Sequence, residues 1–497
     1  MKYPLLFISI LFSCYIFGQS ETSYHTETFG SLSTGENTPF WMTNQKWGVV
    51  PLNSNNFYLR GAVFHEQKLN KDYSLNFGAD LIGSTSHSFN TIWIQQLYGE
   101  FNWKKVRLNI GSKEDYRSLL NPILSSGDFT SSNNARPLPE IKLSIPDFVL
   151  FPGIKRNFYI KGDFSVGKYL DGAYQEDTAL PYNQTYTKDV LSHYKSVYFR
   201  FGNIEQNNKL QFIFGLDHHV QWGGTLYKKT NKYGEYDIIK QPKTFEDFMR
   251  AVTAQEGSAN SSPTDQSYVA GSHIGSYLFK LDYCLNKDKQ LSLYTQHFFE
   301  DRSGFLFQNY KDMLLGIEYK TKEKALISNV LFEYIYTKNQ SGPIHYSQIK
   351  DEEHKHIKNT GNDNYYNNND YIQGPSHYGR TKGTPLFLSP EYNNDGYLNF
   401  KGTRIIAFHM GVSGYISPDL QYRILATTGQ NWGRYFVPYT SVKKGVASQL
   451  DLTYNYPKTD DLSLKLSMGF NTGKFFSDDT FGIGFTIIKK GIIQKRK

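Results

Sequence analysis

Cysteine is almost missing from this chain: 497 residues contain two, Cys14 and Cys284. Long apolar runs are missing too, except at the start. The mean hydropathy is −0.53, and a bundle of membrane-spanning helices, each needing about 20 consecutive apolar residues, is excluded. The one apolar run, MKYPLLFISILFSCYIFGQ, carries Lys2 ahead of an apolar core from Leu5 to Phe17 and leaves through Gly18 and Gln19. It reads as a secretory signal over residues 1–19. Cys14 is followed by Tyr15, Ile16 and Phe17, so it belongs to that run and not to a lipidation site. Cys284 is then the only thiol of the exported chain, and an intramolecular disulfide is excluded. A chain of this size needs another source of stability, and a sheet closed on itself is one.

Motifs of chemistry are also missing. There is no GxSxG elbow, no HExxH helix and no internal repeat, which removes the common hydrolase, zinc-protease and propeller signatures. Asp351, Glu352 and Glu353 read as a solvated charged loop. His218 and His219, side by side on a strand, point to opposite faces and cannot readily share an ion with His273. No enzyme activity, cofactor, metal or nucleic-acid partner is expected.

Aromatic residues are abundant: 38 Tyr and 36 Phe. They decorate runs of about ten residues that alternate with period two. Tyr58, Arg60, Ala62 and Phe64 form one face of such a run, and Tyr73, Leu75, Phe77 and Ala79 of the next. Val106, Leu108 and Ile110 alternate with Arg107 and Asn109. Tyr277, Phe279, Leu281 and Tyr283 face away from Lys280 and Asp282. Leu450, Leu452, Tyr454 and Tyr456 form another row, as do Leu462, Leu464, Leu466, Met468 and Phe470. Phe481, Ile483, Phe485 and Ile487 form the last. Alternation, aromatic ends and Asn/Asp/Gly/Lys turns are the pattern of transmembrane β-strands, apolar towards lipid and polar towards the lumen. The expectation is an all-β outer-membrane barrel of antiparallel strands, 16 to 18 of them by this reading. A soluble β-sandwich is the alternative, but it would need Val/Ile/Leu rows on both partners.

Three stretches exceed what a simple pore needs. Ser125–Phe148, SSGDFTSSNNARPLPEIKLSIPDF, holds Pro137, Pro139 and Pro146. It is expected to be an irregular, stiff segment held by its surroundings, because each proline lacks a donor and extends the residue before it. Pro242–Gly257 places Phe245, Phe248, Met249 and Val252 on one helical stripe, with Thr244 as N-cap and Gly257 as stop. Residues 338–400 form a long loop rich in Asn, Gly, Tyr and Pro.

These segments resemble those of one family. SSNNARPLPEI resembles the small-residue–NARP–x–P segment of the capsule-assembly Wzi proteins of Gram-negative outer membranes. TPFWMTNQKWGVVP is similar to the N-terminal aromatic segment of its Bacteroidetes members, and DHHVQWGG to its QWGG turn. FEDFMRAVTAQEG followed by AGSHIGSYLF resembles its helix-then-strand unit, NYYNNNDYIQGPSHYGRTKGTPLF its Tyr-rich loop, and QNWGRYFVPY a late turn. The six keep their order. Two departures stand out. Gly374 precedes Pro375 where the family often has Trp, so that an aromatic contact is lost or moves to His377 or Tyr378. KKGIIQKRK follows the last strand, giving an expected basic periplasmic tail over residues 489–497.

The resemblance implies a barrel of about 18 strands over residues 20–488, its lumen filled by plug segments at about 116–150 and 242–257. It implies a lectin-like function: binding exported capsular polysaccharide and attaching it at the cell surface. Outer-membrane lipid and the capsule export machinery are the further expected partners. Expected polysaccharide-binding residues are Arg136, Trp222, Tyr365, Tyr366, Tyr371, Tyr378, Arg380 and Trp432, and Asn134, Pro137, Pro139, Gly223 and Gly224 are expected to shape the motif turns. Tyr and Trp offer flat apolar faces with polar rims to sugar rings, and Arg can pair with uronate carboxylates. Arg136 is open to a second reading, a tie to Glu140, and Trp222 to one as a membrane-interface anchor. The tyrosines of the long loop are the stronger sugar candidates, since a loop offers no core to fill. A sugar channel is the competing function, and an assembly factor without a glycan site is a third.

Overall fold

Period-two alternation sets the architecture. The computed structural model describes residues 19–496 apart from 86–90, 155, 205–207, 231–233, 263, 264, 267, 268, 343, 344, 351–356 and 460. Residues 1–18 of the expected signal, with Cys14, and the acidic run at 351–353 lie outside the described residues. Eighteen strands form one antiparallel sheet. They are β1 (Ser20–Ser33), β2 (Asn56–Lys68), β3 (Tyr73–Ser84), β4 (Ile92–Trp103), β5 (Val106–Ser112) and β6 (Pro139–Leu150). Then come β7 (Phe158–Lys168), β8 (Leu191–Phe201), β9 (Leu210–Trp222), β10 (Ser272–Cys284), β11 (Lys289–Phe299) and β12 (Met313–Thr321). The last six are β13 (Asn329–Tyr336), β14 (Ile405–Ser417), β15 (Leu420–Gly433), β16 (Pro438–Asn455), β17 (Leu462–Thr472) and β18 (Thr480–Arg496). Each strand pairs with the next, and β1 pairs with β18 from Ser20↔Arg496 to Ser33↔Gly482, which closes the barrel.

The two faces are chemically opposite. Outward rows are apolar, half-exposed from Leu462 to Met468 and exposed at Phe470 and from Phe481 to Ile487, while Asp80, Gln96, Glu100, Asn109, Asp451 and Ser467 are buried inside. Tyr58, Arg60 and Ala62 belong to the inner face; their neighbours Phe57, Leu59 and Val63 face out. No described helix is long and apolar enough to cross a membrane; the strands cross it. Short turns, such as 69–72 and 104–105, lie at the end of the barrel that holds the termini. Long connections, including 34–55, 113–138, 223–271 and 337–404, lie at the other. Outer-membrane barrels place short turns in the periplasm and long loops outside.

Three corrections follow from the backbone. The Pro-rich stretch is irregular only as far as Leu138; Pro139 opens β6, where a first-strand proline costs no ladder bond, and Pro146 falls in a register shift between Ile145 and Val149. The plug segment therefore ends at 138, not 150. The basic residues 489–496 are no tail: β18 runs through them because β1 extends as far as Ser20 and offers a paired edge, with Lys495 Nζ 2.6 Å from Glu21.

The third concerns the helix at 242–257. α1 (Phe40–Thr43) and α2 (Gly172–Ala179) precede it, and α3 spans Phe245–Thr253. The Thr244 side chain accepts from Asp247 N at 3.2 Å while the Asp247 carboxylate accepts from Thr244 N at 2.9 Å, a reciprocal cap. Its C-cap is Ala254 in the left-handed region, and not Gly257. α3 does not enter the lumen. It packs on Trp222 and Leu191 through Phe248 and Ala251, leaving Phe245 and Met249 exposed. Thr244→Ala is expected to remove about 1 kcal/mol from this helix; limited proteolysis should show faster cleavage at 242–257 with the barrel's heat-dependent gel shift unchanged.

What fills the lumen is chiefly three loops, with Phe475 and Phe476 added from 473–479. Phe40 and Trp41 from 34–55, Leu120, Leu124 and Phe129 from 113–138, and Tyr365, Tyr366, Leu386, Phe387 and Phe400 from 337–404 form one core with inward wall residues such as Tyr198, Phe298 and Ile405. Burying each large apolar side chain is worth about 1.5–3 kcal/mol, so the plug is a true core. Polar bonds fix its register: Trp41 Nε1 donates to Thr427 at 3.0 Å, His409 Nε2 bonds Leu124 O at 2.7 Å, and Phe129 N donates to Gln296 at 3.0 Å.

Candidate functional site

The NARP segment is a junction of loops. Asn134 Oδ1 accepts from Gln45 N at 2.8 Å and its Nδ2 donates to Thr381 O at 3.2 Å, so one amide joins all three plug loops. Pro137 then extends the chain towards β6. The Arg136 guanidinium lies between two rings, 4.3 Å from the Trp93 centroid and 4.7 Å from that of Tyr378. It is buried, and burial pulls its pKa down to about 10, still protonated at neutral pH. Two aromatic faces compensate part of its lost hydration. It is not the partner of Glu140, which is held by Arg117. His377 stands beside it: burial pushes that ring down to about 3, and the neutral imidazole donates from Nδ1 to Arg136 O at 3.1 Å.

Most of the expected sugar ligands serve the same junction. Arg380 is buried, donating from Nη2 to Val50 O at 2.7 Å and from Nη1 to Thr43 O, and it is ion-paired with Glu391, Nε to Oε1 2.7 Å. Tyr365 donates to Asp312 at 2.7 Å and accepts from Asn309 Nδ2 at 2.6 Å. Tyr366 donates to Phe129 O and accepts from Thr384 N at 3.2 Å. Tyr371 packs with Leu138, Tyr169 and Val190. Tyr365, Tyr366 and Tyr371 are among the largest fully buried side chains, which corrects the reading of their loop as a sugar surface: the loop folds inwards, and the barrel lumen is the core it fills. Gly374 has φ +54°, and a Cβ there would stand 2.0 Å from Tyr366 O; this turn seats the tyrosines. Trp222 faces outwards but is covered by Phe248, centroids 5.3 Å apart, and so presents no face to lipid or sugar. Gly223 and Gly224 turn the chain after it, and a Cβ on Gly224 would meet Lys188 O at 2.7 Å.

Trp432 is half-exposed, as is Tyr378 above Arg136, and it belongs to a rim of further aromatic residues. It ends β15, with Lys338 Nζ 4.1 Å over its ring. Along the same rim Arg404 lies 4.8 Å over Tyr435, Lys443 4.0 Å over Tyr439 and Lys401 5.8 Å over Tyr397. Phe436 and Tyr397 are exposed. The β15–β16 hairpin supplies Trp432, Tyr435 and Tyr439 with Lys443, and the long loop supplies Tyr397, Lys338, Lys401 and Arg404. Lys401 is held by Asp395 at 2.6 Å; the half-exposed rings beside Lys338, Arg404 and Lys443 suit a sugar ring bearing a carboxylate. The string GRYFVPY hinted at this turn; its cationic partners stand up to nearly a hundred residues away, and no spacing rule reaches them.

No family model matches the chain, and no curated protein sequence matches it. Among solved structures it is similar to OccAB2 of Acinetobacter baumannii, with 10% identity, 96% of this chain and 98% of that chain covered and a TM-score of 0.49. It is also similar to OprD of Pseudomonas aeruginosa, at 9% identity, 96% coverage of each chain and a TM-score of 0.46. It is similar to Wzi of Escherichia coli, an outer-membrane carbohydrate-binding β-barrel involved in group 1 capsule assembly, with 12% identity, 97% of this chain and 87% of that chain covered and a TM-score of 0.55. The likeness to Wzi carries the fold, and the chain is an outer-membrane β-barrel.

Proposed function

We propose that this barrel binds exported capsular polysaccharide and holds it at the cell surface, without chemistry on the polymer. The observation that carries the reading is the division of labour among its aromatics. Those of the lumen are spent on a packed plug, whereas those of the β15–β16 rim are offered to the outside with cations beside them. A sugar channel would need this plug to move. The likeness in fold to a carbohydrate-binding capsule-assembly barrel supports the same reading.

The test is the ratio of cell-bound to released polysaccharide. Deleting the gene should leave synthesis, export and chain length intact and shift polymer into the medium. Trp432→Ala with Tyr435→Ala should lower the ratio in the same direction. Each stacked ring is worth about 0.5–1.5 kcal/mol beyond area burial, and many sites along one polymer blunt the loss through avidity. Protein level is equalised by the heat-shifted band. An unchanged ratio in the deletion overturns the anchor; polymer trapped inside the cell supports a channel instead, and shortened polymer an enzyme.

A further inference from the structure

The outer wall of the barrel changes character on four adjacent strands. On β8 the outward row runs Phe201, Phe199, Val197 and then Lys195 and His193. On β9 it runs Leu210, Phe212, Phe214, Leu216 and then His218, and on β10 it runs Tyr283, Leu281, Phe279, Tyr277 and then His273. On β11 Leu293 is followed by Thr295 and His297. Four histidines and a lysine therefore point away from the lumen at the long-loop end, where lipid would meet them.

All four histidines are nonetheless buried. Two loops fold back over the outside of the wall. α3 sets Phe248 against His193, centroids 5.8 Å apart, and Lys195 Nζ donates to Val252 O. His218 and His273 bond each other at 3.0 Å, and His273 Nε2 bonds Ala270 O at 2.9 Å. The loop at 300–312 lays Phe307 on His297 at 4.4 Å and on Tyr277 at 5.0 Å. These flaps hide polar groups and present apolar ones: Phe245 is 76% exposed, Tyr310 63% and Leu306 54%, with Phe305, Phe307 and Met249 beside them.

The apolar height explains why. On β10 the bare apolar row from Phe279 to Leu285 spans about 20 Å along the strand, or about 15 Å along the barrel axis at a tilt of about 40°. The hydrocarbon band of such barrels is about 25 Å tall. About 10 Å is missing on this side, roughly one helix diameter. On β17 the apolar row Leu462–Phe470 is two residues longer.

We infer that the α3 segment and the 300–312 loop lie in the outer leaflet, and that Phe245, Met249, Phe305, Leu306 and Phe307 dock on lipid acyl chains. The 300–312 part of the patch continues the lipid-facing row of β10 through Tyr277, which Phe305 and Phe307 meet at 5.7 and 5.0 Å, and an exposed cluster of this kind in water has no other cover among the described residues. The helix lies on the wall as an interfacial helix does, apolar side down into the acyl boundary.

The test uses the full chain in phosphatidylcholine vesicles, with Cys284→Ser removing the thiol of the exported chain. Nitroxide is attached to Phe245→Cys or Phe305→Cys, with Phe279→Cys as lipid reference and Tyr182→Cys as water reference. Collision rates with oxygen and with a polar nickel chelate are compared. The oxygen-to-nickel ratio at both flap sites should equal that of the Phe279 site and lie severalfold above that of the Tyr182 site. A ratio matching Tyr182 overturns the inference. So does exclusion of both reagents with spin–spin broadening, which reports a second copy on the patch. Phe245 and Phe305 are exposed, and the heat-dependent shift confirms folding of each variant.

Discussion

Glu333→Ala is expected to make a closed barrel leak. Glu333 projects from β13 into the lumen, fully buried, and its carboxylate takes four hydrogen bonds: Ser125 Oγ at 2.7 Å, Ser126 N at 2.7 Å, Ser126 Oγ at 2.5 Å and Tyr294 OH at 2.7 Å. Two plug residues and one wall residue thus share a single anion. Hydrogen bonds to a charged group contribute about 1.5–3 kcal/mol each, and donors left buried and unpaired cost about 1–3 kcal/mol apiece. Losses within one network do not add, so about 3–5 kcal/mol is the expected cost. That cost falls on the plug and not on the barrel, whose closure rests on the β1–β18 ladder. In planar bilayers the native protein should show no stable steps, and the variant fluctuating ones of porin size. Glu333→Gln keeps an acceptor and should fall between. A correctly heat-shifted Glu333→Ala protein without conductance would mean that this bond set does not hold the plug shut. Should Glu333→Ala fail to insert, Ser126→Ala removes one of the four bonds and should give rare, brief openings.

Tyr366→Ala is the second large effect, and it separates core from surface. The ring meets Phe298, Phe387 and Phe400 at 5.7, 4.8 and 5.1 Å. Truncating a buried aromatic costs about 3–5 kcal/mol through lost transfer energy and the cavity left behind. Tyr366 also holds φ +65°, a conformation that packing alone sustains in a residue with a side chain. The expected outcome is a plug that proteases nick between 361 and 404, with barrel heat-shift retained. Tyr366→Phe keeps the ring and loses only the bonds to Phe129 O and Thr384 N, about 1–3 kcal/mol, and should resist cleavage better than Tyr366→Ala. A sugar-stacking role predicts otherwise: unchanged protease resistance and weaker polysaccharide retention in both the cells and the purified protein. Equal cleavage of Tyr366→Ala and native protein would return Tyr366 to the list of sugar ligands.

The barrel was legible because its information is local. Outward rows such as Leu462/Leu464/Leu466/Met468/Phe470 announce a strand facing lipid on one side, and period two needs only neighbours in sequence. The α3 helix was legible for the same reason, through a cap three residues from its partner. Its position was not. An apolar stripe on a helix predicts burial, and whether that is inside the lumen or over the outer wall depends on His193 and Lys195 of β8 and Trp222 of β9, which lie on two different strands.

The sequence by itself determined the closed sheet, the polar lumen and the presence of stiff Pro- and Tyr-rich inserts. Tertiary structure alone decided what those inserts do. Tyr365, Tyr366 and Tyr371 could not be told from surface sugar ligands, since a tyrosine with one apolar face and one hydroxyl suits a core with a polar partner as well as a glycan. Asp312, Phe129 O and Thr384 N are the partners that settle it, and they stand 53, 237 and 18 residues away. The basic end became a strand because β1 met it across the whole length of the chain, 474 residues apart at the Glu21–Lys495 pair. Contacts at such separations exist only after the sheet closes, and the order of residues along the chain carries no record of them.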